Sequence, residues 1–231
     1  MARTLREFSP EHLAALAVIT TAACLSVALA RRYGERAAVP LSRALALLIL
    51  AGWIGEQVAN VVEGIWSARF TLPLQLTDVV SLTAVVALWR PRPLLVELTY
   101  FWALTASLQA TLTPDLARTF PSVFYFTYFT YHAGAIVAAC LLVYGRRLYP
   151  RPGAAWRVLA VTLAVAAVAG VANVLTGGNY MYLRHKPVHS SLLDLMARWP
   201  WYILETTVLA LAMLLALQAF TNVVRRRDLG R

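Results

Sequence analysis

Charge is scarce in this chain: 14% of its 231 residues are Asp, Glu, Lys or Arg, while 60% are apolar. A soluble domain averages about 25% charged and about 45–50% apolar. An ordinary soluble protein is therefore excluded, as are collagen-like and disordered classes. Cysteine occurs only as Cys24 and Cys140, both within apolar runs, which excludes a disulfide framework and a cysteine zinc site. Lysine occurs once, as Lys186 between two apolar runs, so no span offers an amine for a retinal Schiff base. The four histidines are His12, His132, His185 and His189; no span holds HxxxH, and HExxH and CxxC are absent. Neither a metal nor a cofactor is expected.

Acid is the scarcer charge, with 11 Asp+Glu against 21 Lys+Arg and a net charge of +10. Such an excess can mark a nucleic-acid binder, but here the basic residues fall in short breaks between long apolar runs. That is the pattern of a polytopic membrane protein. A run of about 20 apolar residues crosses the roughly 30 Å hydrocarbon core. Seven runs qualify: 12–30, 44–62, 72–89, 93–112, 123–144, 158–176 and 199–220. Breaks are marked by Pro40, Arg90-Pro91-Arg92-Pro93, Thr113-Pro114-Asp115 and Tyr149-Pro150-Arg151-Pro152, proline being suited to a helix start. The first run follows a mixed-charge start and has full span length, so no cleavable signal peptide is expected.

The breaks after runs 1, 3 and 5 and the C-terminal tail hold 14 Lys+Arg, and the N-terminus and remaining breaks hold 7. The positive-inside rule then sets the N-terminus outside and the Arg225-Arg226-Arg227 tail in the cytoplasm. The expected fold is an all-α, seven-transmembrane-helix bundle, one membrane domain over residues 1–231 in the plasma membrane. Membrane lipids are the expected partners and nucleic acid is not; the pattern specifies no oligomeric state.

Polar side chains inside a bilayer need a partner or a purpose. Most of them gather in the outer half: Glu56, Gln57, Asn60 and Glu63; Gln75, Thr77, Asp78 and Ser81; Ser107 and Gln109; Tyr125, Thr127, Tyr128 and His132; Asn173; and Glu205. Glu97 and Gln218 break the pattern, over inner stretches such as Leu209–Leu217 that are otherwise apolar. The asymmetry predicts an outward-facing polar cavity above an apolar floor. Water and headgroups suffice for Glu63, Gln109 and Tyr202, whereas Asp78, His132, Glu56 and Glu205 lie a turn or more inside their runs.

His132 is the one histidine deep within a span, and a neutral imidazole is a usable general base. Thr77 beside Asp78 supplies a hydroxyl nucleophile if a base takes its proton. Thr77 lies roughly 8 Å and His132 roughly 14 Å from its helix start at 1.5 Å per residue, so the two can meet within normal tilt. Backbone N–H groups at the start of run 3 or at Gly177-Gly178 could stabilise an oxyanion. The alternative is that Thr77 bonds back to its own helix and His132 bridges two helices. A second class of function, a proton-coupled transporter or solute-binding protein, would use Glu56, Asp78 and Glu205 as the binding groups. After run 6, Gly177-Gly178-Asn179-Tyr180 leads into Arg184-His185-Lys186-Pro187, where Arg184 and Lys186 suit a lipid phosphate.

The sequence resembles the YwaF-like family of bacterial integral membrane proteins, which has an animal transmembrane acyltransferase as a distant relative. The resemblance rests on Leu72-Pro73-Leu74-Gln75-Leu76-Thr77-Asp78, His132, Gly178-Asn179-Tyr180-Met181-Tyr182-Leu183 with Lys186-Pro187, Ser191-Leu192-Leu193-Asp194 and Trp199-Pro200-Trp201-Tyr202. It implies seven spans and action on lipid acyl chains. A further similarity, to androgen-induced membrane hydrolases, implies Thr77 as nucleophile and His132 as base. Two departures stand out: the family more often has Cys where Thr77 stands, and Gly-Pro where this chain has Ala197-Arg198. The expected activity is lipid acyl transfer or ester hydrolysis by Thr77, His132 and Asp78. Gln75, Glu56, Asn60, Tyr128, Asn173, Asn179, Tyr180, Arg184 and Glu205 would hold the substrate.

Overall fold

The computed structural model describes residues 5–114, 116, 118–187 and 192–230, and no strand occurs among them. Asp115, His189 and Ser191, which figure in the sequence reading, lie outside the described residues. Helical rods follow the apolar runs. α1 spans Pro10–Tyr33, α2 Glu35–Val62 and α3 Leu76–Trp89. The next rod is composite: α4 (Pro93–Trp102), a π-helical stretch Ala103–Ser107, then α5 (Leu108–Leu112). α6 (Val123–Cys140) also runs into a π-helical stretch, Leu141–Gly145; α7 spans Ala154–Thr176 and α8 Trp201–Leu229. Among the described residues five helices are long and apolar enough to cross a membrane (α1, α2, α6 with its extension, α7 and α8), and α3 is a shorter apolar helix.

Several boundaries differ from expectation, among them two with local reasons and the start of α3, which is Leu76 rather than Leu72. Pro40 lies inside α2 rather than in a loop. Gly34, at φ 61°, reverses the chain between α1 and α2 by itself, because glycine meets no Cβ penalty there. α8 runs on through Arg225-Arg226-Arg227, where positive side chains favour the negative end of the helix dipole.

α6 is the central rod: 78% of its most apolar stretch is buried, against 11% in α1 and 17% in α7 and α8. α2 packs on it most extensively, and glycine is what permits the approach. A Cβ on Gly134 would stand 2.5 Å from Ile49 Cγ1, and Ile49 is fully buried with nowhere to move. Small residues at such contacts let membrane helices close up. Gly134→Ala is expected to cost about 1–3 kcal/mol through overpacking, read as a lower Tm of the detergent-solubilised protein.

Cross-links fix the register. The Tyr128 hydroxyl donates to the Ala110 carbonyl at 2.7 Å, and the Tyr100 and Tyr144 hydroxyls meet at 2.7 Å. The composite rod is thus antiparallel to α6, and α3, joined to it by the short Arg90–Arg92 turn, runs parallel to α6. At the opposite end from the start of α3, the floor is less apolar than expected. Tyr100 also bonds Thr221 at 2.6 Å, and Glu97 is buried with arginine partners.

Candidate functional site

α3 begins abruptly. Leu72–Gln75 are non-helical, and Gln75 is the N-cap residue with φ −70° and ψ 144°. Thr77 and Asp78 therefore sit in the first turn, where the dipole favours negative charge; Asp78 N donates to the Gln75 carbonyl at 3.0 Å, and the Leu76 and Thr77 N–H groups have no acceptor among the described residues. One turn further in, the Ser81 hydroxyl lies 2.8 Å from the Thr77 carbonyl and 3.0 Å from the Tyr131 carbonyl of α6. This contact sets α3 against α6 next to His132.

Depth follows from that contact. Thr77 is four residues from Ser81, about 6 Å along the axis. The His132 ring reaches back one turn, its Nδ1 3.0 Å from the Tyr128 carbonyl, a level about 4.5 Å from Tyr131 in the same direction. In depth along the helix axes, hydroxyl and imidazole differ by about one residue's rise. Among the described residues no hydrogen bond joins them. A carbonyl can only accept, so this contact is a hydrogen bond when the proton is on Nδ1, and in the neutral ring that leaves the lone pair on Nε2. The ring is buried and stacked on Tyr128, with centroids 4.2 Å apart and Tyr131 equally close.

Asp78 belongs to a second group on the same end. It interacts electrostatically with the Trp53 indole N–H and with Glu56. The indole makes no hydrogen bond of ordinary geometry, so it polarises Asp78 from slightly further away. Glu56 accepts from the Thr127 hydroxyl of α6. Tyr131, almost wholly buried, feels both carboxylates. Asn60 lies one turn beyond Glu56, part-buried, its carbonyl accepting from Ile65 and Trp66.

The remaining expected substrate ligands make hydrogen bonds within the chain. Asn173, fully buried near the end of α7, donates from Nδ2 to the Tyr180 carbonyl at 3.0 Å and accepts the Tyr180 N–H at 2.6 Å. The Tyr180 hydroxyl bonds the Ala68 carbonyl at 2.7 Å and Leu72 N at 3.0 Å. Gln75 Oε1 accepts the Met181 N–H at 2.9 Å. Asn179 organises the turn by accepting from Arg184 N at 2.9 Å and donating to the His185 carbonyl at 2.8 Å. Arg184 itself is exposed, with Nη1 3.4 Å from the Asn173 carbonyl of α7 and the Gly178 carbonyl of the turn. Glu205, expected inside the membrane, is exposed and accepts the Ala197 N–H at 2.8 Å. It braces the entry to α8, where proton donors are otherwise unsatisfied.

This turn is wedged under the start of α3. A Cβ on Gly178 would fall 2.6 Å from the Arg69 carbonyl, so only glycine fits. Met181 and Tyr182 adopt positive φ of 54° and 53°, a conformation that side chains other than glycine hold only when their surroundings impose it. A family model described as the TMEM164 family matches residues 7–218. The chain belongs to the TMEM164 family. No curated protein and no solved structure matches it.

The family segment contains every candidate group above. In this TMEM164-family chain the residues missed from sequence are Trp53 and Tyr131; Thr127 stands among the outer-half polar groups but has no role assigned in the sequence reading. Trp53 shares a helix stripe with Glu56 and Asn60 at i, i+3, i+7, a spacing that places all three on one face. Thr127 and Tyr131, four residues apart, form a parallel stripe on α6. Those periodicities were the available signal. An apolar groove of about 340 Å³ between α1, α5 and α6, lined by Leu16, Ile19, Leu108, Thr111, Leu112 and Ile136 among others, opens one turn below His132 on α6.

Proposed function

We propose that this protein is a membrane-embedded lipid acyltransferase or acyl-ester hydrolase, crossing the plasma membrane seven times with its N-terminus outside. Thr77 is the nucleophile and His132 the general base. The observation that carries the reading is the His132 contact: Nδ1 lies 3.0 Å from the Tyr128 carbonyl, which in a neutral ring directs the lone pair to Nε2, at the depth of a first-turn hydroxyl. In the first step the Thr77 Oγ–H proton moves to Nε2 as Oγ bonds the ester carbonyl carbon. First-turn N–H groups of α3 stabilise the oxyanion. The ester C–O bond then breaks, and the leaving alcohol takes the proton from His132. An acceptor alcohol, or water, repeats the sequence on the acyl-threonine and restores both residues.

Asp78 biases the electrostatics of that helix end, and the groove beside Ile136 receives the acyl tail. Asn173, Asn179 and Tyr180 act indirectly by holding Gln75 and the entry to α3. The test is turnover of ester phospholipids by purified protein in proteoliposomes. Loss of acyl transfer and hydrolysis in the Thr77→Ala/His132→Ala double variant supports the reading; unchanged turnover overturns it.

One observation favours a second reading, proton-coupled transport. Glu56 and Asp78 lie within electrostatic reach of each other, and among the described residues neither bonds a basic side chain. Solute or proton flux that depends on both carboxylates, without lipid turnover, would select it.

A further inference from the structure

At the end of the bundle opposite Thr77, Glu97 of α4 is 1% exposed and accepts five hydrogen bonds from two arginines. Arg151 donates from its backbone N at 3.0 Å, Nε at 2.8 Å and Nη2 at 3.1 Å; Arg157 donates from Nε at 3.1 Å and Nη2 at 2.8 Å. One buried carboxylate thus clamps two guanidiniums side by side and neutralises only one of them. Their far edges reach solvent, with Arg151 50% and Arg157 38% exposed. Arg157 uses Nη1 on the Pro152 carbonyl at 2.9 Å, whereas Arg151 Nη1 has no hydrogen bond among the described residues.

The clamp is braced on every side. Gln218 of α8 accepts the Ala155 N–H at 3.2 Å and its amide lies 3.5 Å from the Arg151 carbonyl. Pro150 and Pro152 flank Arg151, and Gly153 at φ 73° turns the chain into α7. Holding a guanidinium in place beforehand lowers the ordering cost of binding. The other acids at this end are committed: Glu35 to Arg146 at 2.7 Å and Asp228 to Arg31 at 2.5 Å. Arg90 and Arg92 lie in the turn leading to α4, and Trp156, 57% exposed, flanks Arg157, a residue type that settles at headgroup depth.

We infer that the Arg151–Glu97–Arg157 clamp is a binding site for the phosphodiester headgroup of an anionic phospholipid, separate from the Thr77 and His132 end. Arginine pairs phosphate through parallel N–H donors, and the free edge of Arg151 supplies them. The test is native mass spectrometry of the full chain in neutral detergent, titrated with phosphatidylglycerol, phosphatidylcholine or inorganic phosphate. Wild type should retain phosphatidylglycerol at least about tenfold better than phosphatidylcholine, and Arg151→Gln should lose most of that preference, as one charge-assisted bond predicts. Arg151→Lys, which keeps a charge for Glu97 but lacks the second donor edge, should fall between them. Equal retention of the two lipids by wild type, or an undiminished preference in Arg151→Gln, would overturn the assignment. So would displacement by millimolar inorganic phosphate without any lipid preference, which would make the ligand a soluble phosphate. The wild-type comparison decides the matter even where a variant does not fold.

Discussion

His132→Ala protein is expected to turn over ester phospholipid at least about 100-fold more slowly than the parent chain, the lower end of what a positioned general base contributes. The expectation rests on Nε2, since the contact of Nδ1 with the Tyr128 carbonyl in a neutral ring directs the lone pair there. Thr77→Ala should lose as much or more, because residues acting as a unit are not additive and removal of either disables the same step. The double variant should then be no slower than the worse single variant. Thr77→Ser keeps the hydroxyl and should keep most of the activity. Asp78→Asn, which alters a neighbouring charge and no bond of His132, should have a smaller effect than either. Rates from proteoliposomes with labelled acyl chains check the series; independent, multiplicative losses would argue that Thr77 and His132 serve different steps.

Asn173→Leu carries the second large effect. Its amide makes two hydrogen bonds to the Tyr180 backbone at zero exposure. Leucine leaves a buried N–H and a buried carbonyl unpaired, at about 1–3 kcal/mol each. A loss of roughly 2–6 kcal/mol follows, seen as a lower Tm in detergent. The damage should be directional. Residues 177–187 should gain amide hydrogen exchange first, since Tyr180 tethers them to Ala68 and Leu72 and Met181 tethers them to Gln75. Turnover should fall without any change in the residues that do chemistry. A variant with full stability and an unaltered turn would contradict this role of Asn173.

The apolar runs were enough to find each rod, because helix length and hydropathy are set by the bilayer and read directly from composition. Punctuation was less legible. Pro40 reads as a break, yet Gly34 alone makes the turn and leaves the proline inside α2. The stripes of Glu56 with Asn60 and of Tyr128 with His132 were also readable, since helical spacing puts them on one face. Their partners were not. Asn173, Asn179, Tyr180 and Glu205 look like ligands by polarity and depth, and only coordinates show that their donors and acceptors close on the chain itself. The clamp of Glu97 by Arg151 and Arg157 joins residues 54 and 60 positions apart, a pairing that no local pattern encodes. Depth and polarity are sequence properties; hydrogen-bond partners belong to the packing.

The most direct test of the Thr77 and His132 assignment is covalent capture. Purified protein is incubated with a long-chain alkyl fluorophosphonate and digested for peptide mass spectrometry. A single phosphonylated residue, Thr77, is expected, with labelling abolished in Thr77→Ala and strongly slowed in His132→Ala. Labelling that persists unchanged in Thr77→Ala, or an unreactive protein that nonetheless turns over ester lipid, would contradict the account.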